Sequence, residues 1–280
     1  MSASKPYKLS IKAYEEDLAL VKELRILIES KYPEIFHCIV VHGSVATNEI
    51  IPYSDFDGLL IVKDRYVNSK QLKTFKKESM KLILKFDPLQ HHGWFQIKES
   101  DLLNYPENYL PLTTLEHSKL IYPQVSELEL SLEVNKEVDY KTTLESMLNQ
   151  FEKREIENWR PANIYQLKSV LSQVMLIPCL YFSAIHNDGI FKRESFKVVK
   201  SNFNENEWMP IKTATVIRNN WNYKSNAFQK LMLSSSNKII RKIAVRYFAP
   251  KIPINIRQEF DNIFYDNLML LVKKIKKDIK

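Results

Sequence analysis

Hydrophobic positions recur with two different periods in the first hundred residues of the chain. Apolar residues lie three or four positions apart in Ser10–Tyr32 and in Ser69–Phe86, which predicts two amphipathic helices. Short apolar runs at Ile35–Val41, Gly58–Val62 and Leu89–Ile97 have the length and composition of strands. The predicted order is therefore helix, strand, turn, strand, helix, strand.

The pattern changes after residue 101. Tyr-Pro and Leu-Pro pairs mark an irregular stretch up to about residue 123, and from about residue 139 the helical period dominates. The predicted helices are Tyr140–Trp159, Ile164–His186, Lys192–Phe203, Glu205–Asn219, Phe228–Phe248 and Ile256–Lys277. We place a domain boundary near residues 125–138, dividing the chain into residues 1–130 and an all-α bundle of residues 131–280.

Composition agrees with a folded protein of one large or two ordinary domains. The chain has 280 residues, of which 45% are hydrophobic and 26% charged. Its four glycines are unusually few, and Gly43, Gly58 and Gly93 all fall in the first third. A helix-rich remainder explains their scarcity elsewhere.

The net charge of +8 allows three interpretations: nucleic-acid binding, binding of an anionic nucleotide, or a solvated surface. Much of the excess lies in lysines at the C-terminus, which face only Asp278: Lys273, Lys274, Lys276, Lys277 and Lys280. A helix end of this kind is favoured by the helix dipole, and no alternation of arginines and aromatic residues indicates a nucleic-acid groove. Nucleic acid is therefore not the favoured partner.

Cysteine usage and hydropathy indicate a cytoplasmic protein without a membrane span. Cys38 and Cys179 lie far apart in apolar runs, as reduced core cysteines do. The N-terminus is polar, unlike a signal peptide. Leu171–Ile185 is the most apolar long stretch, but it is short and contains Gln173 and Pro178, so we expect a core helix.

Candidate chemistry is concentrated in Val41–Val62. A Gly43-Ser44 pair ends the first predicted strand, and Asp55 and Asp57 open the second. On a strand, two residues one position apart point to the same face, which brings two carboxylates together. Such a pair is unfavourable without a cation, and Mg²⁺ takes carboxylate oxygens. A small residue at the turn lets backbone N–H groups approach an anion such as phosphate.

This segment resembles the polymerase-β-like nucleotidyltransferase superfamily. The family pattern of Gly-Ser, a spacer of about nine residues, and Ser-Asp-x-Asp is matched by Gly43-Ser44 and by Ser54 to Asp57. Many members with this short spacer, including the aminoglycoside and small-substrate enzymes, carry a second glycine four residues after the serine. Asn48 stands there instead, and asparagine tolerates a left-handed conformation.

The resemblance implies an α+β core, with a small mixed sheet and helices on one face, followed by a helical domain that shapes the acceptor site. It implies Mg²⁺ (or Mn²⁺) on Asp55 and Asp57, and a nucleoside triphosphate held by Gly43, Ser44 and Ser54. The turn at Asn187–Phe196 resembles one that carries a phosphate-binding lysine, which makes Lys192 a candidate. The alternative is a helix C-cap at Gly189 followed by solvated side chains.

Most active members also have a third acid on the strand after the second helix. Alternation along Leu89–Ile97 places His92 with Gln90, Trp94 and Gln96 on the side of the aspartates, and neither side contains an acid. Three explanations stay open. His92 or His91 replaces the carboxylate, Asp87 bends into the site, or the third acid is absent.

Three classes of function follow. The first is a Mg²⁺-dependent enzyme that transfers a nucleoside monophosphate to a hydroxyl of a small molecule. The second is an enzyme that modifies RNA or protein, as some toxins do. The third is a nucleotide-binding protein with weak or lost catalysis. Nothing in the sequence indicates the acceptor, the base or the oligomeric state.

Overall fold

The computed structural model describes residues 6–107, 109–134 and 138–280 and has a mixed α/β fold with small sheets. The first part of the chain contains β1 Tyr7–Lys12, α1 Ala19–Lys31, β2 Phe36–His42, α2 Gly43–Ala46, β3 Asp57–Val62, α3 Lys70–Phe86, β4 Phe95–Lys98, α4 Leu112–Glu116, β5 Lys119–Tyr122 and β6 Glu127–Leu132. The rest contains α5 Tyr140–Ile156, α6 Ile164–Val174, α7 Ile177–His186, α8 Lys192–Val199, α9 Glu205–Asn219, α10 Ala227–Leu233, α11 Lys238–Ile243, α12 Ile254–Glu259 and α13 Asn262–Asp278.

The chain packs into two compact units. The first unit is Met1–Lys136 together with Asn226–Phe248, and the second is Glu137–Ser225 together with Ala249–Lys280. The sequence-based division at residue 130 differs from this in two respects. It falls inside β6, and it assigns to the helical domain the segment Asn226–Phe248, which returns to the first unit. Helical periodicity shows that this segment is helical but not which unit it packs against.

A mixed four-stranded sheet in the order β4-β3-β2-β5 forms the centre of the first unit. β2 runs antiparallel to β3 and β5, while β3 and β4 are parallel. Both β2 and β3 are buried on both faces, which explains their nearly continuous apolar sequences. Their predicted bounds, Ile35–Val41 and Gly58–Val62, are correct to within one residue.

The two faces of this sheet are covered differently. On one face, Leu60 and Val62 of β3 pack with buried residues of α1 and α3, such as Leu24 and Phe75. We call this the helix face. On the other face, Leu59 and Ile61 pack with β1, β6 and the segment around α4. We call this the ribbon face, because β1 and β6 form a separate two-stranded antiparallel sheet.

α3 follows its prediction closely. Ser69 is the N-cap, and its hydroxyl accepts a hydrogen bond of 3.0 Å from the N–H of Leu72. Leu72, Phe75 and Ile83 form the buried stripe of the helix. The capping serine and the helical spacing of apolar residues together specify this helix.

The prediction of a single helix over Ser10–Tyr32 is wrong at its start. Tyr7–Lys12 forms β1, and the helix begins only at Ala19. β1 pairs with β6, and Leu9 and Ile11 alternate with exposed residues because they face the core. This pairing joins segments more than a hundred residues apart, and the local spacing of apolar residues does not indicate it.

The second unit is helical, as predicted. The expected helix Ile164–His186 is divided into α6 and α7 at Pro178, which lies in the first turn of α7 and has no N–H to continue the ladder. By length and composition, Ile164–His186 is the one stretch of the described chain that could cross a membrane. Within the protein, 44% of its most apolar window is buried, and core helices of soluble proteins pass the same test.

The terminal lysines and the cysteines have the surroundings of ordinary structural residues. Lys274 bonds Asp278, and Lys276 bonds Glu152 at 2.5 Å. Both cysteines are free; Cys38 is buried and Cys179 is half-buried. The expected nucleic-acid, membrane and cellular-compartment assignments stay predictions.

Candidate functional site

Gly43 and Asp57 lie against each other where β2 ends and β3 begins. Gly43 has φ of +65°, a conformation that side-chain-bearing residues rarely adopt. A Cβ added to Gly43 would lie 3.2 Å from Oδ2 of Asp57. The Asp57 carboxylate therefore rests on the bare backbone of the turn, and the two halves of the predicted motif meet in space.

The turn between the two strands is built by short-range hydrogen bonds. After α2, the N–H of Glu49 donates to the carbonyl of Ser44 at 2.9 Å. Asn48 has φ of +55°, so the conformational freedom expected at this position is used by asparagine. Buried Ser54 accepts a 3.0 Å bond from the N–H of Ile51, which closes the second half of the turn. Ser54 thus has a structural task, and its predicted contact with nucleotide stays a prediction.

Asp55 and Asp57 flank Phe56, a residue of the buried core. The Phe56 side chain is 1% exposed and packs in the helix-face core. Alternation along β3 places Asp57 on the side opposite the helix face, whereas Asp55 precedes the strand. Both are half-buried, and Asp57 continues into the ribbon-face positions Leu59 and Ile61. That the two carboxylates share a side of the backbone stays a prediction.

The side chain of Gln90 binds both backbone polar groups of Phe56. Its Oε1 accepts from the N–H of Phe56 at 2.9 Å, and its Nε2 donates to the carbonyl of Phe56 at 2.8 Å. These two hydrogen bonds to the backbone of one residue imitate those of a neighbouring β-strand. Gln90 is 2% exposed, and its second Nε2 hydrogen goes to the carbonyl of His92 at 3.0 Å. Nothing in the sequence distinguishes this glutamine from a solvated one.

The predicted strand Leu89–Ile97 is wrong in length and in the face it presents. The strand is Phe95–Lys98, and residues 89–94 lie outside it. Trp94 packs on the helix face, where its Nε1 donates to Ser79 at 2.8 Å, instead of facing the aspartates. Phe95 and Ile97 lie on the ribbon face, at register positions opposite Leu59 and Ile61. β4 therefore presents an aromatic and an aliphatic side chain, with no acid, on the side of Asp57.

The three candidates for the third group have different surroundings. Alternation no longer favours His92, because residues 91–94 are not a strand; its exposed ring lies 6.4 Å from the ring of Phe95. His91 is half-buried, with its ring 6.4 Å from that of His92. Asp87 is buried in a turn, where one carboxylate oxygen accepts from the N–H of Leu89 at 2.9 Å. Each role stays a prediction.

His42 is a fourth candidate that the sequence did not single out. It is the cross-strand neighbour of Asp57 and is 6% exposed. Its Nε2 is buried with no hydrogen-bond partner in the described part of the chain. Burial lowers the pKa of His42 below its ordinary value, although the charge of Asp57 opposes this shift. A neutral imidazole can accept a proton or coordinate a metal, and its only signal in the sequence is its place directly before Gly43.

Lys192 lies at the start of α8 in the second unit. The hydroxyl of Ser195 donates to its backbone carbonyl at 2.6 Å, as is common in a first helical turn. The left-handed C-cap of α7 is Asn187, not Gly189 as the alternative predicted. The predicted contact of Lys192 with nucleotide phosphate stays a prediction.

The side chains around Gly43 fit a magnesium ion that is shared with a substrate. Mg²⁺ is commonly held by one or two carboxylates together with substrate phosphates, and needs no complete protein cage. Asp55 and Asp57 would supply the carboxylates, and Gly43 has no Cβ that would press on the Asp57 carboxylate. Among the residues that the structure describes, no cluster of three or more His, Cys, Asp or Glu side chains could hold a metal by itself. A phosphate-bearing ligand would therefore have to supply the remaining oxygens.

Comparison with models of protein families gives no match, and comparison with curated proteins gives no similar sequence. The geometry around Gly43, the two aspartates and Gln90 therefore carries the functional argument by itself.

Proposed function

We propose that the protein is a Mg²⁺-dependent nucleotidyltransferase that moves a nucleoside monophosphate from a nucleoside triphosphate to a hydroxyl of a small molecule. The fold that this proposal requires is a nucleotidyltransferase core followed by a helical acceptor domain. The mixed sheet with helices on one face, and the helical second unit, are consistent with it.

The observation that carries the proposal is the contact between Gly43 and Asp57. A left-handed glycine is needed there because a side chain would press on the carboxylate 3.2 Å away. In this proposal the metal-binding oxygen of Asp57 lies beside the bare backbone of Gly43, and the N–H groups of the turn bind a phosphate. Triphosphate binding of this kind requires a carboxylate this close to a glycine turn, whereas an ordinary turn does not.

The chain's own residues divide the work in this proposal. Asp55 and Asp57 would hold Mg²⁺, which would neutralise the charge of the phosphates. The Gly43-Ser44 turn orients the triphosphate through N–H groups and the Ser44 hydroxyl. The acceptor oxygen forms a bond to the α-phosphorus, the bond from that phosphorus to the bridging oxygen breaks, and pyrophosphate leaves. Alignment of these groups supplies most of the acceleration.

The acceptor proton needs a base on the same side of the sheet. His42 is adjacent to Asp57 in the register, and burial lowers its pKa, which favours the neutral form that a base must have before it accepts a proton. His91, His92 and Asp87 are the alternatives on the segment before β4. Substitution of each in turn, with the pH profile as readout, identifies the residue that titrates in the reaction.

The proposal is tested with two labels on the same triphosphate. The protein is incubated with Mg²⁺, a cell extract and a nucleoside triphosphate labelled at either the α- or the γ-phosphorus, for each of the common bases. Nucleotidyl transfer places the α-label on an acceptor and releases the γ-label as pyrophosphate. Transfer of the γ-label to an acceptor would instead indicate a kinase and would overturn the proposal.

A second candidate is a nucleotide-binding protein without transfer. The presence of Phe95 rather than an acid on the site side of β4 supports it. Its signature is triphosphate binding that depends on Mg²⁺ and on Asp57, with no α-label on any acceptor.

A further inference from the structure

The segment Asn226–Phe248 lies far from Asp57 in the chain but belongs to the same unit. Within it, α10 and α11 bring Arg241 to the turn Asp87–Gln90. One guanidinium nitrogen of Arg241 donates to the carbonyl of Pro88 at 3.1 Å and to the carbonyl of Leu233. The other donates to the carbonyl of Gln90. A single planar fork therefore ties the returning segment to the turn from which the Gln90 side chain extends.

The same turn is fixed from inside as well. The N–H of Gln90 donates to the carbonyl of Asp87 at 3.1 Å, and the N–H of Leu89 donates to the Asp87 carboxylate at 2.9 Å. Gln90 thus uses its backbone N–H, its backbone carbonyl, its side-chain oxygen and both side-chain hydrogens in hydrogen bonds. No rotation of this side chain is available without breaking a buried hydrogen bond.

We propose that Arg241 and Gln90 are positioning residues that fix Asp55 and Asp57 for metal binding. Arg241 holds the backbone of Gln90, Gln90 holds the backbone of Phe56, and Phe56 is the residue between the two aspartates. The inference rests on the proposed function, since it assigns these residues to the same site. It gives the returning segment a task that composition and helical period do not indicate.

Arginine is suited to this role because its fork spans several carbonyl oxygens with fixed geometry, which a lysine ammonium does not reproduce. Loss of the fork removes the donor from three part-buried hydrogen bonds and frees the turn. The backbone of Gln90 is then no longer held in place, so its side chain no longer fixes Phe56 and the two aspartates beside it.

The experiment compares Arg241→Met with Lys242→Met, a matched change at the exposed neighbouring position. Arg241→Met is expected to raise the Mg²⁺ concentration for half-maximal transfer and to lower kcat by about tenfold or more, while Lys242→Met leaves both unchanged. Amide hydrogen exchange at Phe56, measured without nucleotide, is expected to accelerate only in Arg241→Met. Wild-type Mg²⁺ dependence and wild-type exchange at Phe56 in a folded Arg241→Met protein would overturn the inference.

Two further variants keep the inference testable if Arg241→Met does not fold. Arg241→Lys retains a cation and should show the same defects in smaller degree. Gln90→Glu keeps the acceptor for the Phe56 N–H but opposes a carboxylate oxygen to the Phe56 carbonyl, so it should reproduce the loss of Mg²⁺ affinity. Normal Mg²⁺ affinity in Gln90→Glu would contradict the inference. If the wild-type protein transfers no nucleotide, the proposed function is refuted. Hydrogen exchange at Phe56 needs no activity, so it still tests the link from Arg241 to Phe56.

Discussion

Replacement of Gly43 by alanine tests the contact on which the proposed site depends. The backbone at Gly43 has φ of +65°, and an L-residue in that region costs about 1–2 kcal/mol. The new Cβ would lie 3.2 Å from Oδ2 of Asp57, so the carboxylate must shift by a few tenths of an ångström. We expect the free energy of unfolding of the first unit to fall by about 1–2 kcal/mol.

The effect on transfer should come in addition to the effect on stability. A misplacement of about 1 Å in a reacting group can reduce a rate by about a hundredfold, so a shift of a few tenths of an ångström predicts a loss of up to about tenfold. The Mg²⁺ concentration for half-maximal transfer should rise. Stability is followed through the fluorescence of Trp94, which lies in the core of the first unit. The other tryptophans, Trp159, Trp208 and Trp221, belong to the second unit and are replaced by phenylalanine for this measurement.

Gly93→Ala is the matched control. A Cβ at Gly93 would meet only the terminal methyl of Met80, at 3.4 Å, an ordinary contact. Its stability and transfer rate should therefore stay near those of the parent protein. If Gly43→Ala loses stability but retains the parent's Mg²⁺ dependence and rate, then Asp57 does not hold the metal and the reasoning fails.

Three other predictions concern the surroundings of the site. Gly58→Ala should destabilise the first unit by about 1–3 kcal/mol or more, because its Cβ would lie 2.4 Å from Cζ3 of Trp94; a urea midpoint equal to the parent's would show that Trp94 does not pack there. In metal-free protein the free energy of unfolding should fall as the pH falls below 6.5, since the pKa of His42 is lowered by burial and only the unfolded chain takes up the proton. His42→Gln should flatten this slope, and an unchanged slope would contradict the assigned burial. Burial also raises the pKa of Cys38, so in Cys179→Ser the remaining thiol should resist thiol reagents until urea unfolds the first unit; rapid labelling of the native protein would contradict it.

The parts of the fold that local chemistry specifies could be predicted from the sequence. β2 and β3 are continuous apolar runs, α3 has a serine cap and a regular stripe, and Asn48 occupies a left-handed position that a related glycine pattern suggested. The Gly43 and Asp57 halves of the motif meet because a short turn joins adjacent strands. Each of these features depends on residues close together in the chain.

The parts that were missed depend on contacts between distant segments. β1 is recognisable only through its partner β6, and the return of Asn226–Phe248 through long-range contacts such as those of Arg241. The error over Leu89–Ile97 arose because six residues before β4 alternate in character without forming a strand. Gln90 and His42 are ordinary residues in sequence, and only their burial beside Phe56 and Asp57 gives them a candidate role.

The most direct test of the central claim is calorimetric titration of the protein with a nucleoside triphosphate, in the presence and absence of Mg²⁺. The account predicts that binding requires Mg²⁺ and that Asp57→Asn loses it, with transfer reduced at least about a hundredfold and the fold retained. Asp17→Asn makes the same chemical change on a side chain that is 83% exposed, and it should behave as the parent protein does. Binding that is independent of Mg²⁺, or equal in Asp57→Asn and the parent protein, would contradict the account.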